Sequence, residues 1–173
     1  MSSLKIFIKF LQNIRSTGAF YPSGDSLSKS IAEVILSRRI DQPIIELGAG
    51  TGSITKFLPV DTIIVEKNEY FHSLLIKKFP DYNIIKGDAM DVIMKINKPT
   101  WVVSSIPIIG NKSSEMFQYC LDLMREKGLI LGISTYSYGF QPPLRNCNFK
   151  YYNKIKIIWK NIPPAIIWHY YEN

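Results

Sequence analysis

Cysteine is scarce in this sequence, with 2 residues among 173. Cys120 and Cys147 lack the paired spacing of a metal-binding cluster. We therefore predict no cysteine-ligated metal, and two reduced thiols of the kind that cytosolic proteins carry. The sequence also lacks low-complexity tracts and internal repeats, which argues against disordered and repeat architectures. The remaining composition is that of one globular domain over residues 1–173.

Long apolar runs are missing as well. No uninterrupted apolar stretch approaches the ~20 residues that cross a bilayer. The chain begins MSSLKIFIKFLQNIR, but Lys5 and Lys9 interrupt its apolar residues and no small-residue cleavage site follows. We therefore predict neither a membrane-spanning helix nor a signal peptide, and we expect a cytoplasmic protein.

Acidic residues are outnumbered, with 14 Asp and Glu against 21 Lys and Arg, which gives a formal net charge of +7. A positive excess of this size favours a polyanionic partner. Two partners fit this charge: nucleic acid and the anionic face of a membrane.

Short runs rich in β-branched residues alternate with helix-like segments. The runs are nearly continuously apolar, as in strands buried on both faces of a parallel sheet, and lie at 43–47, 62–66, 82–86, 100–105 and 129–135. Helices are predicted over 25–39, 54–58, 68–79 and 113–128, with Asp25 and Asn68 as N-caps and Gly128 at an end. After Gly139, two strand-like runs joined by Ile-Pro-Pro predict a terminal antiparallel pair. The pattern predicts a doubly wound α/β sheet with helices on both faces.

The strongest local motif is IIELGAGTG at 44–52. A buried strand ends there, and a glycine-rich turn leads into a helix. Glycine permits backbone angles and close approaches that a side chain forbids, and a helix start offers free N–H groups. The turn therefore predicts a ligand site that comprises Glu46, Gly48, Ala49, Gly50, Thr51 and Gly52. Taken alone, such a turn also fits a dinucleotide-binding fold.

Two acids follow the next two strands. Glu66 ends the second strand, beside Lys67, where a carboxylate can accept both hydroxyls of a ribose. Asp88 follows the third strand, beside Ala89, where it can read an adenine edge. Ligands bind at the carboxyl ends of strands in open α/β sheets, so three such sites in order favour function. The alternatives are a solvated strand-end charge for Glu66 and a helix cap for Asp88.

Together these motifs resemble those of class I S-adenosylmethionine-dependent methyltransferases, over about residues 43–135. The resemblance implies a Rossmann-like sheet of seven strands, mostly parallel, with an antiparallel C-terminal hairpin. It implies S-adenosyl-L-methionine as the cofactor and S-adenosyl-L-homocysteine as its product. It places Glu46 and the glycines near the methionine part, Glu66 and Lys67 at the ribose, and Asp88 and Ala89 at the adenine.

The fourth strand ends VVSSIPII at 102–109. In methyltransferases that act on nucleobase amino groups, including rRNA adenine dimethyltransferases, an Asn or Asp and a stacking Tyr flank this proline. Ser104, Ser105 and Ile108 depart from that pattern, which argues against a nucleic-acid substrate. Nearly the whole chain is more similar to bacterial phospholipid N-methyltransferases, notably in SSIPII, in YSYGFQPPL and in WKNIPPAIIWHY. This resemblance implies methylation of phosphatidylethanolamine and its methylated derivatives, towards phosphatidylcholine.

Residues 1–16 are predicted to form an amphipathic helix. Its apolar face contains Leu4, Phe7, Ile8 and Leu11, and its polar face contains Lys5 and Lys9. Such a helix suits the membrane interface, where each basic residue near anionic lipid contributes about 1 kcal/mol. We predict that it docks a monomeric enzyme on the inner face of the bacterial cytoplasmic membrane. The alternative is a helix that packs on the sheet.

The acceptor pocket is predicted from residues on either side of the sheet. Residues 17–42 precede the first strand as a substrate-side segment, and the core follows from residue 43. Methyl transfer to an amine depends mainly on orientation, and tyrosine faces hold cationic groups. Tyr21, Ser105, Tyr136 and Tyr138 are therefore the catalytic candidates, and Ser104 is assigned to the cofactor side. Ordinary packing is the alternative for the tyrosines. A further hypothesis is a membrane-binding protein with weak methyl transfer.

Overall fold

The computed structural model describes residues 22–106, 112–138, 142–144, 148–158 and 165–172. The α-helices in these ranges are α1 (Pro22–Leu36), α2 (Glu69–Lys78), α3 (Ala89–Ile93) and α4 (Lys112–Glu126). A 3₁₀ helix covers Thr55–Phe57. The strands are β1 (Ile44–Leu47), β2 (Ile63–Glu66), β3 (Asn83–Lys86), β4 (Thr100–Ser104), β5 (Ile130–Tyr138), β6 (Tyr151–Ile158) and β7 (Ala165–Tyr171).

The seven strands form one sheet in the order β3-β2-β1-β4-β5-β7-β6. The pairs among β1 to β5 are parallel, and β7 lies antiparallel between β5 and β6. The predicted Rossmann-like sheet with a C-terminal antiparallel hairpin is therefore confirmed. The predicted N-terminal amphipathic helix lies outside the described residues.

Helices cover both faces of the sheet because its central strands are apolar on both sides. Every residue of β1 and β4 is buried. On one face, Phe117, Leu121 and Met124 of α4 and Ile93 of α3 pack against the sheet. On the other face, α1 contributes the buried residues Leu27, Ile31, Ala32 and Ile35, while α2 contributes Leu75. These three clusters of buried residues fix the sheet between two helical layers.

Two helix predictions were wrong in detail. The first helix begins at Pro22 rather than after Asp25, so Asp25 lies in the first turn, where it pairs with Lys56. The segment after the glycine turn forms a short 3₁₀ helix instead of an α-helix. Its next residue, Leu58, is extended because it precedes Pro59, and proline disfavours the α conformation in the residue before it.

Other helix boundaries follow their predicted signals. The Asn68 side chain accepts hydrogen bonds from the backbone N–H groups of Tyr70 and Phe71, so it caps α2 as predicted. Gly128 follows α4 with a φ of 70°, a conformation that glycine adopts without strain. Within the described ranges, none of the helices combines the length and the hydropathy needed to span a bilayer.

Candidate functional site

The register of the parallel strands brings the predicted cofactor residues to one edge of the sheet. Leu47 of β1 lies level with Val65 of β2 and with Ser104 of β4, and Glu66 lies level with Lys86 of β3. The glycine turn, Glu66, Asp88 and Ser104 therefore all follow or end strands at the same carboxyl edge. This is the edge at which open α/β sheets bind ligands.

The glycine turn needs its three glycines for two different reasons. Gly48, Gly50 and Gly52 all have positive φ, at 70°, 57° and 77°. A Cβ on Gly48 would lie 2.7 Å from Ile106 Cγ1, and one on Gly52 would lie 2.2 Å from Phe79 Cε2, so these two positions are closed by packing. A Cβ on Gly50 would meet only the Gly48 carbonyl oxygen, at 3.9 Å. Gly50 therefore leaves an open cradle over the turn.

Glu66 ties the glycine turn to the end of β2. Its carboxylate is buried, and Oε2 accepts a hydrogen bond from the Gly50 N–H at 2.8 Å while Oε1 accepts one from the Asn68 N–H at 2.7 Å. Each carboxylate oxygen can accept a second hydrogen bond. Glu66 is thus a buried carboxylate beside the cradle, held by two hydrogen bonds, and not a solvated charge at the end of a strand.

Glu46 is fully buried on β1, two residues before Gly48. Its Oε2 accepts a hydrogen bond from the Thr55 hydroxyl at 2.6 Å, and its Oε1 has no partner among the described residues. Burial raises the pKa of Glu46 from 4.5 to about 7, the Thr55 hydrogen bond opposes that shift, and the charge of Glu66 adds to it. Glu46 therefore changes protonation near neutral pH.

Asp88 has partners on both carboxylate oxygens. Oδ1 accepts a hydrogen bond from the Met90 N–H at 2.9 Å and so caps α3, while Oδ2 accepts one from Lys67 Nζ at 2.8 Å. The Lys67 ammonium holds the pKa of Asp88 below its usual value. The alternative reading of Asp88 as a helix cap is thus correct for one oxygen. Its predicted role at an adenine, with Ala89, stays a prediction, as does the ribose role of Glu66 and Lys67.

Side chains from the end of α2 and from the segment before β3 hold the glycine turn and the 3₁₀ helix from outside. Lys78 Nζ donates to the Thr51 carbonyl oxygen at 2.9 Å, and the Phe79 ring fills the space beside Gly52. The Tyr82 hydroxyl donates to the carbonyl oxygens of Leu58, at 2.7 Å, and Thr55, at 3.3 Å. Sequence reasoning missed Thr55, Lys78 and Tyr82, because each contact joins residues 9 to 27 positions apart without a local motif.

The end of β4 closes the site on the opposite side of the turn. Ser104 is buried, and its hydroxyl accepts a hydrogen bond from the Ile106 N–H at 3.3 Å. The Ser105 N–H donates to the Leu47 carbonyl oxygen at 3.0 Å, which places this segment against the start of the glycine turn. Ser104 and Ser105 thus adjoin the turn, and their predicted roles at the cofactor and the acceptor stay predictions.

The other acceptor candidates are described only in part. Tyr136 and Tyr138 lie on β5, level with Ile167 and Ala165 of β7. Tyr136 is half-buried and packs against the cluster formed with α1, which agrees with the packing alternative. Tyr21 lies outside the described residues, as do the predicted membrane-binding residues Leu4, Lys5, Phe7, Ile8, Lys9 and Leu11.

The described residues fit the cofactor that the resemblance implies. The cradle at Gly50 has room for a ligand where any other residue would place a side chain. Two residues before the turn, Glu46 Oε1 is a buried acceptor for which the described residues offer no donor, a feature that points to a bound cation or donor. Glu66 retains acceptor capacity for a pair of hydroxyls. A ligand with an ammonium group and a ribose meets all three requirements.

Comparison with known proteins agrees with this fold. No protein-family model matches the chain. The chain is 23% identical over 176 residues to the ornithine lipid N-methyltransferase of Singulisphaera acidiphila. The alignment covers 91% of this chain and 89% of that protein.

Solved structures of methyltransferases superimpose on the chain at low sequence identity. One is yhhF of Escherichia coli, assigned as a methyltransferase, with a TM-score of 0.60, 13% identity and coverage of 90% of this chain and 88% of that one. Another is the bifunctional kinase-methyltransferase WbdD, with a TM-score of 0.59 and 12% identity. That match covers 86% of this chain and 39% of WbdD, so the chain spans about two fifths of WbdD. The chain therefore has the class I methyltransferase fold.

Proposed function

We propose that the chain is an S-adenosylmethionine-dependent N-methyltransferase that acts on the amine of a membrane lipid. The observation that carries the proposal is the open cradle at Gly50, whose N–H donates to the buried Glu66, while the buried Glu46 lies on β1 two residues before the turn. The lipid substrate class is supported by the ornithine lipid N-methyltransferase that aligns over most of both chains. The expected substrates are phosphatidylethanolamine and its methylated derivatives.

S-adenosylmethionine, when bound, supplies an activated methyl group. Glu46 and the glycine turn would hold its amino-acid end, Glu66 and Lys67 its ribose, and Asp88 and Ala89 its adenine. Ser104 would close the cofactor side. The chain's own contribution is mainly orientation, since a rigid turn fixed by Glu66 and Lys78 keeps the cradle in one shape.

The headgroup of the substrate is the finer part of the proposal. Ethanolamine and ornithine headgroups both present a primary amine, whose pKa of about 10 means that the bound amine must lose a proton. Desolvation in a closed pocket favours the neutral amine. Ser105, Tyr21, Tyr136 and Tyr138 are the proposed acceptor-side residues. An ornithine lipid is the second candidate substrate, favoured by the aligned relative.

In the test, the purified full chain is incubated with labelled S-adenosylmethionine and with one acceptor at a time. The acceptors are liposomes that contain phosphatidylethanolamine, liposomes that contain ornithine lipid, and ribosomal RNA. We expect label in the lipid extract, and chromatography then identifies the headgroup and counts its methyl groups. Label in RNA would overturn the proposal, and so would label in no acceptor despite liposome binding, which would favour the membrane-binding hypothesis.

Replacing Gly50 with alanine should weaken cofactor binding at least tenfold, because the new methyl group enters the cradle. Gly128→Ala is the matched control. Both glycines have positive φ and neither has close neighbours around a built Cβ, so both changes should cost about 1 kcal/mol of stability through backbone strain. Calorimetric titration with S-adenosylhomocysteine measures the affinity, and thermal unfolding measures the strain. Equal affinities in the two variants would place the ligand elsewhere.

We also propose that residues 1–16 dock the enzyme on anionic phospholipid at the inner face of the bacterial cytoplasmic membrane. Replacing Lys5 and Lys9 together with glutamate should lower the affinity for anionic liposomes at least tenfold, since each basic residue contributes about 1 kcal/mol there. Lys95→Glu with Lys98→Glu changes the net charge equally at exposed positions of the domain. Cosedimentation with vesicles compares the two. Equal losses would mean that only the overall charge matters.

A further inference from the structure

The two oxygens of the Glu46 carboxyl group have different surroundings. Oε2 accepts a hydrogen bond from the Thr55 hydroxyl at 2.6 Å, while Oε1 is buried without a partner in the described part of the chain. Buried polar atoms are nearly always paired, so an orphaned acceptor on the residue two positions before the glycine turn points to a ligand group. An ammonium group suits this position, because a hydrogen bond between two charged groups is roughly twice as strong as one between neutral groups.

Thr55 is held in place independently of Glu46. It is fully buried and begins the 3₁₀ helix that follows the glycine turn. Its carbonyl oxygen accepts hydrogen bonds from the Leu58 N–H at 3.0 Å and from the Tyr82 hydroxyl at 3.3 Å. Because its backbone is fixed by these contacts, the Thr55 hydroxyl fixes the carboxyl group rather than following it.

Among the described residues, none of the lysines or arginines forms an ion pair with Glu46. Glu66 on β2 contributes a second negative charge, and Tyr82, ahead of β3, is an uncharged phenol whose pKa is raised by burial and by Glu46. Lys56, the lysine nearest to Glu46 along the chain, pairs with Asp25, Arg39 pairs with Asp61, and Lys78 binds the Thr51 carbonyl oxygen. A positive charge on Glu46 Oε1 would therefore come with the ligand.

We propose that Thr55 is a positioning residue for cofactor binding: its hydroxyl orients Glu46 so that Oε1 accepts from the ammonium of the cofactor's amino-acid end. The inference rests on the proposed function and deepens it. Because only ionised Glu46 can serve this ammonium, binding at slightly acid pH requires Glu46 to release its proton to solvent. Cofactor binding is thus coupled to proton release, and the Thr55 hydroxyl sets the pH at which this occurs.

The test measures binding of S-adenosylhomocysteine and of methylthioadenosine, which lacks the amino-acid end, by calorimetry. For the unchanged chain we expect S-adenosylhomocysteine to bind about 20-fold more weakly at about pH 5.5 than at about pH 7.5, as one group titrates near pH 7. Buffers of different ionisation enthalpy should show the released proton. Methylthioadenosine should show neither effect.

Thr55→Val removes the hydroxyl and keeps the shape, whereas Thr55→Ser keeps the hydroxyl. Thr55→Val should move the midpoint of the pH profile up by about one unit and weaken S-adenosylhomocysteine binding about fivefold at pH 7, because a hydrogen bond to the charged form is lost. Thr55→Ser should behave like the unchanged chain.

Several outcomes would overturn the inference. One is an affinity for S-adenosylhomocysteine that does not change with pH. Another is a Thr55→Ser variant that loses as much affinity as Thr55→Val. A third is a loss of affinity for methylthioadenosine equal to that for S-adenosylhomocysteine. The proposed function would fail in a different way: the unchanged chain would bind neither S-adenosylhomocysteine nor methylthioadenosine at any pH. The two failures are therefore distinguishable in one set of titrations.

Discussion

Changing Glu46 to glutamine is expected to give a protein that loses about 2 kcal/mol of its free energy of unfolding as the pH falls from 6.5 to 4.5, while the unchanged chain stays nearly level. The level profile arises because two buried groups oppose each other. Glu46 stabilises the fold as the pH falls, and His169 destabilises it over the same range. Removing one of them exposes the effect of the other.

Glu46 favours the fold at acid pH because its folded pKa is raised. Burial moves that pKa from 4.5 to about 7, so between these values the folded chain holds a proton that the unfolded chain has released. Its stabilising contribution is complete below pH 4.5 and is lost as the pH rises through 7. Glutamine keeps an acceptor for Thr55 and does not titrate, so it removes the pH dependence with little change in packing.

His169 acts in the opposite direction because its folded pKa is lowered. It is fully buried on β7, its Nδ1 lies 2.8 Å from the Ser134 hydroxyl, and its ring stacks between Trp101 and Tyr171. Burial, helped by the charge of Arg38, lowers its pKa from 6.5 to about 4. Its contribution is present above pH 6.5 and is lost as the pH falls through 4.

His169→Phe keeps a stacking ring and removes the titration, so the free energy of unfolding of this variant should rise by about 2 kcal/mol as the pH falls from 6.5 to 4.5. Urea unfolding of the ligand-free chain at several pH values measures all three profiles. Glu33→Gln, at an exposed position of α1, is the control for loss of a carboxylate. If the free energy of unfolding of the Glu46 and His169 variants changed with pH in the same direction, the two residues would not oppose each other as proposed.

The sheet was predictable from the sequence because its signal is local. Runs such as PIIEL and TWVVSS are apolar on both faces, and only strands covered on both sides bury such runs. The hairpin after Gly139 and the cap at Asn68 were equally readable, since turn residues and caps act within a few positions. The edge of the sheet that carries the predicted cofactor residues could also be predicted, because parallel strands bring their carboxyl ends together.

The partners of the site residues were not predictable in this way. Thr55 meets Glu46, and Lys67 meets Asp88, only after the strands are in register. The stack around His169 joins β4 and β7, which no spacing in the sequence connects. Such contacts depend on tertiary packing, as does the burial that raises the pKa of Glu46, while Lys67 lowers the pKa of Asp88. The sequence motif therefore located the acids, and the packing assigned their charge.

Changing Glu66 to glutamine is expected to weaken cofactor binding at least about 100-fold, the loss that follows when charge-assisted hydrogen bonds to a buried acceptor are broken. Both oxygens of Glu66 accept from backbone N–H groups, those of Gly50 and Asn68, at 2.8 and 2.7 Å. An amide can accept through only one atom, so its NH₂ group must face one of these two N–H donors. The turn or the start of α2 is then displaced, and two proposed acceptors for the ribose hydroxyls become one. Calorimetric titration with S-adenosylhomocysteine measures the loss, and methyl transfer to lipid should fall with it.

Glu69→Gln is the matched control, because it makes the same chemical change three residues away. Glu69 is exposed in the first turn of α2 and pairs with Lys86, and such surface ion pairs contribute at most about 1 kcal/mol. Its affinity for S-adenosylhomocysteine should stay within about twofold of the unchanged chain. If both variants bind equally well, Glu66 serves only to brace the turn, and the ribose is held elsewhere. If the Glu66 variant loses S-adenosylhomocysteine and retains its thermal stability, the carboxylate acts on the ligand itself, since a purely structural brace could not be removed without a cost to folding.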